Sequence, residues 1–203
     1  MRDRQLLKGP TVQTYAPTTV LAGRVLPRTA VITAGLIVGF ALLTAGAAQI
    51  SIALPFTPVP ITGQTFSVLL AGAAIGSTAG AASMLLYVVM GGLGAPFYAD
   101  GASGWDVLGG PTGGYLVGFV LAAWFVGFLA ERRQDRKVAT AMPAFLAGSA
   151  IIYLLGVTWL AYDIRVSATE AMELGLVPFV IGDLLKVALA GALLPAAWKL
   201  LDR

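Results

Sequence analysis

The 203-residue sequence contains no cysteine and no histidine, and only 11% of its residues are charged. Without those two residue types there is no thiolate or imidazole metal site, no cysteine nucleophile and no serine–histidine pair. The sequence also lacks a Gly-x-x-x-x-Gly-Lys-Ser/Thr run, so the chain hydrolyses no nucleotide by itself. We therefore expect no catalytic residue, no metal ion and no cofactor, and we expect that the chain is not an enzyme.

Apolar residues, in contrast, make up 58% of the sequence. Four apolar runs, residues 30–54, 113–130, 141–162 and 174–201, reach the roughly 20 residues that a membrane-spanning helix needs. The sequence therefore predicts an integral membrane protein that lies in the lipid bilayer. The net charge of +3 does not indicate a nucleic-acid partner, because the basic residues flank apolar runs and form no basic face.

A further apolar stretch, residues 62–92, is consistent with one long tilted helix or with two short helices that break at residues 76–80. Two helices place the basic cluster at residues 132–137 on the same side of the membrane as the basic N-terminal tail, as the positive-inside rule requires. We therefore predict an all-α membrane protein with six transmembrane helices and with both termini in the cytoplasm. Residues 1–29 form a polar cytoplasmic tail in this prediction, and residues 30–203 form one membrane-embedded domain that binds a substrate.

The last apolar run contains a carboxylate and an ammonium group, Asp183 and Lys186, which share one face of a helix. An ionisable side chain within a span is costly and usually marks a binding site or a pathway. The pair therefore predicts that a polar ligand binds here. The alternative is a structural ion pair that is neutralised inside the protein.

Two connections between spans have unusual compositions. Pro55, Pro58 and Pro60 predict a stiff extended segment that would suit a lid, although Pro58 and Pro60 could instead only end one helix and begin the next. The glycine-rich segments 91–98 and 109–116 allow the backbone to approach a ligand closely. Aromatic side chains nearby could cover an apolar ring, but for Tyr98 and Trp105 an ordinary position at the membrane surface is favoured.

Taken together, these motifs resemble the BioY family, the biotin-specific substrate-binding S-components of energy-coupling-factor (ECF) transporters. The resemblance extends over residues 30–201 and rests on five segments: Ala48-Gln49-Ile50, Pro55-Phe56-Thr57-Pro58-Val59-Pro60-Ile61-Thr62, Gln64-Thr65, Gly109-Gly110-Pro111-Thr112-Gly113-Gly114-Tyr115-Leu116-Val117-Gly118-Phe119 and Gly182-Asp183-Leu184-Leu185-Lys186. One departure is Gly63, where the family usually has a bulkier apolar residue.

The resemblance implies a six-helix protein of the cytoplasmic membrane that holds biotin near the outer surface, under the loop after the first span. It also implies a membrane T-component and two ATPase subunits as partners. The family's binding residues correspond to Asp183, Lys186, Thr62, Gln64, Tyr87, Gly114 and Tyr115 of this sequence. Asp183 would accept a hydrogen bond from a ureido N–H of biotin, while Lys186 would donate to the ureido carbonyl or, alternatively, to the carboxylate tail.

A hypothesis from another class is a stand-alone ion- or proton-coupled carrier for a small polar metabolite. In that case Asp183 would be the protonation site and Lys186 its counter-charge. The two halves of the sequence show no repeat, so an inverted-repeat carrier gains no support. Small residues four positions apart in the first span, at 30/34, 35/39 and 41/45, predict either a docking face for a partner helix or close packing inside the protein.

Overall fold

The computed structural model of the protein describes residues 20–27 and 29–201, so most of the predicted tail lies outside the described residues. The described chain is mainly helical. Its helices are α1 (Leu21–Val25), α2 (Ala30–Ala48), α3 (Gln64–Ile75), α4 (Ser77–Gly92), α5 (Trp105–Gly109), α6 (Gly113–Glu131), α7 (Val138–Asp163), α8 (Ala168–Gly175) and α9 (Val180–Leu201). Two short strands, β1 (Ser51–Ile52) and β2 (Ile61–Thr62), and two 3-10 turns, Ala99–Gly101 and Val177–Phe179, complete it.

Among the described residues, four helical segments are long and apolar enough to cross a membrane: α2, α6, α7 and the run Ala168–Leu201 that contains α8 and α9. These segments correspond to the four long runs predicted from the sequence. The first differs at its end, because α2 stops at Ala48 and not at residue 54. The chain turns there into β1.

The stretch 62–92 forms two helices, as predicted, and the break is at Gly76 alone. Gly76 has φ 90°, in the region that favours glycine, and a Cβ atom at this position would lie 2.8 Å from Glu131 Oε1. Glu131 Oε1 accepts hydrogen bonds of 2.8 Å from both the amide and the hydroxyl of Ser77, which satisfies the first turn of α4. Helices α3 and α4 have only 12 and 16 residues, fewer than the roughly 20 of an untilted span.

Helix α6 occupies the centre of the bundle, where it packs against α3, α4 and α7. Glycines allow the closest of these approaches. A Cβ atom at Gly127 would lie 2.4 Å from the amide nitrogen of Ser77, and one at Gly118 would lie 3.0 Å from Cα of Ile152. Glycine at these two positions therefore permits α6 to pack closely against α4 and α7.

One end of the bundle, which we call the hairpin end, carries the antiparallel pair β1–β2 with Ser51 opposite Thr62. The segment 53–60 between the strands, the hairpin loop, contains the three prolines, so these prolines neither end α2 nor begin α3. That alternative is therefore wrong. The other end, the basic end, contains Gly76, the loop 132–137 and the C-terminal part of α9. There Trp198 donates a hydrogen bond to Asp135, and the guanidinium of Arg136 lies 3.9 Å from the centre of the Trp198 ring.

Candidate ligand-binding site

A cavity of about 300 Å³ lies at the hairpin end of the bundle. The hairpin loop forms one wall, and β2, α3, α6, α7, α9 and the segment 98–102 contribute to the others. Tyr98, Tyr115 and Phe179 give the cavity an aromatic lining. The hydroxyl of Thr57 in the hairpin loop donates a 2.8 Å hydrogen bond to the carbonyl of Leu174 in α8, which fastens the loop over the cavity. This is the position that the sequence predicts for a lid.

The predicted ion pair lies on the wall of this cavity. Lys186 Nζ is 2.8 Å from Asp183 Oδ1, and Asp183 is only 6% exposed. The ammonium group also donates to the carbonyl of Thr62 at 2.7 Å and to the hydroxyl of Thr65 at 3.0 Å. An ammonium group has three N–H donors, so each donor of Lys186 has one acceptor.

The carboxylate of Asp183 is held from three directions. Its Oδ1 accepts from Thr65 Oγ1 at 3.0 Å as well as from Lys186, and its Oδ2 accepts from the hydroxyl of Tyr153 at 2.7 Å. Hydrogen bonds of this kind reduce the cost of two charges within apolar helices. These hydrogen bonds therefore orient the pair, with both side chains on the cavity wall.

The structure brings five of the seven predicted site residues together on the cavity wall: Thr62, Gln64, Tyr115, Asp183 and Lys186. They come from four separate elements, β2, α3, α6 and α9. The hydroxyl of Tyr115 donates a 2.7 Å hydrogen bond to the carbonyl of Gly175, which fixes its ring against the cavity.

The other two predicted residues lie outside the cavity lining. Tyr87 is fully buried behind Gln64, whose side-chain amide donates a 3.0 Å hydrogen bond to the Tyr87 hydroxyl. Tyr87 therefore contacts Gln64 and does not face the cavity. At Gly114 a Cβ atom would lie 2.3 Å from Cβ of Trp159 and 2.5 Å from the carbonyl oxygen of Leu155, so this glycine permits close packing of α6 on α7.

Sequence reasoning did not assign Thr65 or Tyr153 to the site, although both contact Asp183 directly. A signal was available for both, because a charge within a span needs hydrogen-bonding partners from neighbouring helices. Tyr98 was expected at the membrane surface but is 2% exposed, donates a 2.6 Å hydrogen bond to the carbonyl of Val88 and lines the cavity. Trp105, in contrast, is 54% exposed.

Comparisons with known proteins agree on one family. Residues 18–203 match the model of the BioY family. The chain is 41% identical over 142 residues to the biotin transporter BioY of Thermotoga maritima, a match that covers 68% of this chain and 80% of the relative. It is 32% identical over 149 residues to the biotin transporter BioY of Rhizobium etli, covering 70% of this chain and 79% of the relative.

The fold is similar to a crystal structure described as the S-component for biotin from an ECF-type ABC transporter. The TM-score is 0.76 at 22% sequence identity, and the match covers 83% of this chain and 92% of the other. This likeness shows the fold, while the matches in sequence show the family. The chain belongs to the BioY family.

Proposed function

We propose that this chain binds biotin with high affinity and serves biotin uptake across the cytoplasmic membrane, as the S-component of an ECF-type transporter. The observation that carries the proposal is the cavity beneath the hairpin loop, with a pre-oriented Asp183–Lys186 pair on its wall. The names of the relatives in Thermotoga maritima and Rhizobium etli, both biotin transporters, support the choice of ligand. The chain is a binding subunit in this proposal and not an enzyme.

Biotin combines an apolar bicycle, a ureido group with two N–H donors and one carbonyl, and a carboxylate tail. The aromatic lining of Tyr98, Tyr115 and Phe179 suits the bicycle, and Asp183 accepts from a ureido N–H. Lys186 donates to the ureido carbonyl. Because each of its three N–H donors already has an acceptor, the carbonyl must replace one of those acceptors. The hydroxyl of Thr65, at 3.0 Å the longest of the three contacts, is the acceptor that we expect to move.

Assignment of Lys186 to the carboxylate tail is less well supported by the charges around it. Lys186 is the one basic residue that lines the cavity in the described part of the chain, and two carboxylates, Asp100 and Asp183, line it as well. A free carboxylate beside Lys186 would meet the repulsion of the adjacent Asp183. The tail is better accommodated if it points away from the pair.

The proposed topology has six transmembrane helices: α2, α3, α4, α6, α7 and α9. The basic end, with loop 132–137, faces the cytoplasm under the positive-inside rule, together with both termini and the tail 1–29. The hairpin end then faces outward, and the cavity opens toward the source of the vitamin. The short helices α3 and α4 cross by local thinning of the bilayer.

Uptake requires other chains, because this one has no phosphate-binding loop. We propose a membrane T-component and two ATPase subunits as these partners. Helix α2 is the least buried of the four long apolar segments, which suits a docking surface. Ala34, Gly35 and Gly39 on α2 are exposed, whereas Ala41 and Ala45 are buried inside the bundle. Of the small-residue pairs predicted in the first span, we assign only the exposed positions to docking.

Equilibrium binding of the purified chain to biotin, thiamine and riboflavin tests the proposed ligand. We expect saturable binding of biotin and at least about a hundredfold weaker binding of the other two vitamins, because a buried polar site rejects ligands that leave its groups unpaired. Equal binding of all three vitamins, or no binding of biotin by folded protein, would contradict the proposal.

A further inference from the structure

A second concave site lies on the side of the bundle that faces lipid. It is a groove of about 630 Å³ between α7, α8 and the outer half of α9. Its side chains are mostly apolar, and several, among them Leu154, Met172 and Leu184, are exposed. Tyr153 and Asp183 line this groove as well as the cavity, so the hydrogen bond between them forms part of the wall that separates the two.

The size of the groove limits what can occupy it. The lining residues of α7 run from Leu146 to Ala161, a length of about 22 Å at 1.5 Å per residue. An α-helix of that length is at least about 10 Å across, so it could lay only one face in the groove. An apolar groove within a bilayer does not hold water either, and an empty one forfeits van der Waals contacts. A flexible acyl chain meets these limits, because one leaflet of the hydrocarbon core is about 15 Å thick.

The outer end of the groove carries charged groups. Arg165 is exposed in the loop between α7 and α8, and Ala161 in α7 and Ala168 in α8 line the groove. Helix α8 begins at Ala168, and Ser167 Oγ accepts a 3.2 Å hydrogen bond from the Glu170 amide, which leaves the amides of Ala168 and Thr169 at this helix N-terminus to favour a phosphate. Carboxylates lie close by in the sequence at Asp163 and Glu170. A guanidinium with carboxylates two and five residues away in the sequence suits a head group that carries both a phosphate and an ammonium.

We propose that the groove binds one acyl chain of a zwitterionic phospholipid, with the phosphate at Arg165 and the ammonium toward the neighbouring carboxylates. The acyl chain packs against the side of Tyr153 that is remote from the cavity. It keeps water from reaching Asp183 through the groove. This site differs from the proposed biotin cavity, and its occupant enters from the bilayer.

Native mass spectrometry of the full chain measures this binding directly. The probes are phosphatidylethanolamine, phosphatidylglycerol and diacylglycerol with identical acyl chains. Ala150 is exposed and lines the groove, whereas Ala192 is exposed on the inner half of α9 and does not line it. We expect Ala150→Phe to retain roughly threefold less phosphatidylethanolamine than wild type, because the new ring takes the place of part of the acyl chain. The control variant, Ala192→Phe, should retain the wild-type amount.

The wild-type chain should retain phosphatidylethanolamine better than either of the other lipids. Arg165→Gln should lose the preference over diacylglycerol, because the phosphate loses its guanidinium, whereas Arg133→Gln, a change at another exposed arginine with positive φ, should keep it. Biotin binding by each variant serves as the check of folding. Equal retention by Ala150→Phe and Ala192→Phe overturns the acyl-chain site, and equal retention of the three lipids by wild type overturns the head-group assignment.

Discussion

Tyr153 in α7 donates a 2.7 Å hydrogen bond to Oδ2 of Asp183 in α9, across 30 positions of sequence. The contact occupies one carboxylate oxygen and leaves Oδ1 to Lys186 and Thr65. A carboxylate fixed in this way needs no reorganisation when a ligand donates to it, which favours binding. Tyr153 is therefore a positioning residue of the proposed site.

Removal of the Tyr153 hydroxyl should weaken biotin binding. We expect Tyr153→Phe to cost about 1 kcal/mol, roughly fivefold in Kd, because Asp183 loses one hydrogen bond while the ring is kept. Calorimetric titration with biotin checks this value. The matched control is Tyr162→Phe on the same helix, whose side chain is 81% exposed and outside the cavity lining. Equal affinities of the two variants would remove Tyr153 from the site.

The hydrogen bond between Thr57 and Leu174 should slow the release of biotin, because it fastens the hairpin loop over the cavity. We expect Thr57→Val to raise the dissociation rate roughly threefold or more, with a smaller effect on association. Stopped-flow displacement of a labelled biotin measures both rates. Thr33→Val, at an exposed threonine of α2, is the control. A dissociation rate that stays at the wild-type value would show that this contact does not restrain the loop.

The exposed face of α2 should serve transport and not binding. Ala34→Leu leaves the bundle unchanged, so biotin affinity should stay within about twofold of wild type while uptake in cells that contain the partner subunits falls. Ala41 is 1% exposed, so Ala41→Leu should overpack the bundle and lower its stability by about 1–3 kcal/mol. Thermal unfolding separates the two effects. Unimpaired uptake by Ala34→Leu would count against docking on this face.

The orientation of the chain can be mapped cleanly, because the sequence contains no cysteine. Ser103 is exposed in the segment that follows α4, at the hairpin end, and Arg133 is exposed at the basic end. With six spans and a cytoplasmic N-terminus, an impermeant thiol reagent should label Ser103→Cys from outside the cell and Arg133→Cys only after the cells are opened. The reverse pattern would show that the proposed topology is inverted.

The sequence predicts features that depend on neighbouring residues. The four long helices follow from apolar runs, the break within residues 76–80 from its glycines, and the Asp183–Lys186 contact from their spacing on a helix. Contacts between distant segments were not predictable in this way. The bond from Thr57 to Leu174 spans 117 positions, and the pairing of Tyr153 with Asp183 depends on how α7 packs against α9.

The buried face of α2 illustrates the same limit. The helix is apolar on all sides, so no periodicity in its sequence distinguishes the face toward lipid from the face toward the bundle. Small residues occur on both faces, and only the packed structure separates the buried Ala41 and Ala45 from the exposed Ala34 and Gly35. The strands β1 and β2 are two residues each, too short for a pattern of alternation to identify them.

Two ligands distinguish the possible roles of Lys186. If Lys186 donates to the ureido carbonyl, biotin amide should bind the wild-type chain nearly as well as biotin does, because both have the same ureido group. If the amide binds wild type far more weakly than biotin, and Lys186→Met removes that difference, Lys186 instead binds the carboxylate tail.

The central claim is that the Asp183–Lys186 pair recognises biotin, and titration of biotin into the wild type, Asp183→Asn and Lys186→Met tests it most directly. Neutralisation of one member leaves the other charge without its partner. We expect Asp183→Asn to weaken binding by at least about 2 kcal/mol, roughly thirtyfold, and Lys186→Met to weaken it further. Thermal unfolding in parallel must show that both variants are folded. Unchanged affinity for biotin in both folded variants would show that the pair is structural and would contradict the account.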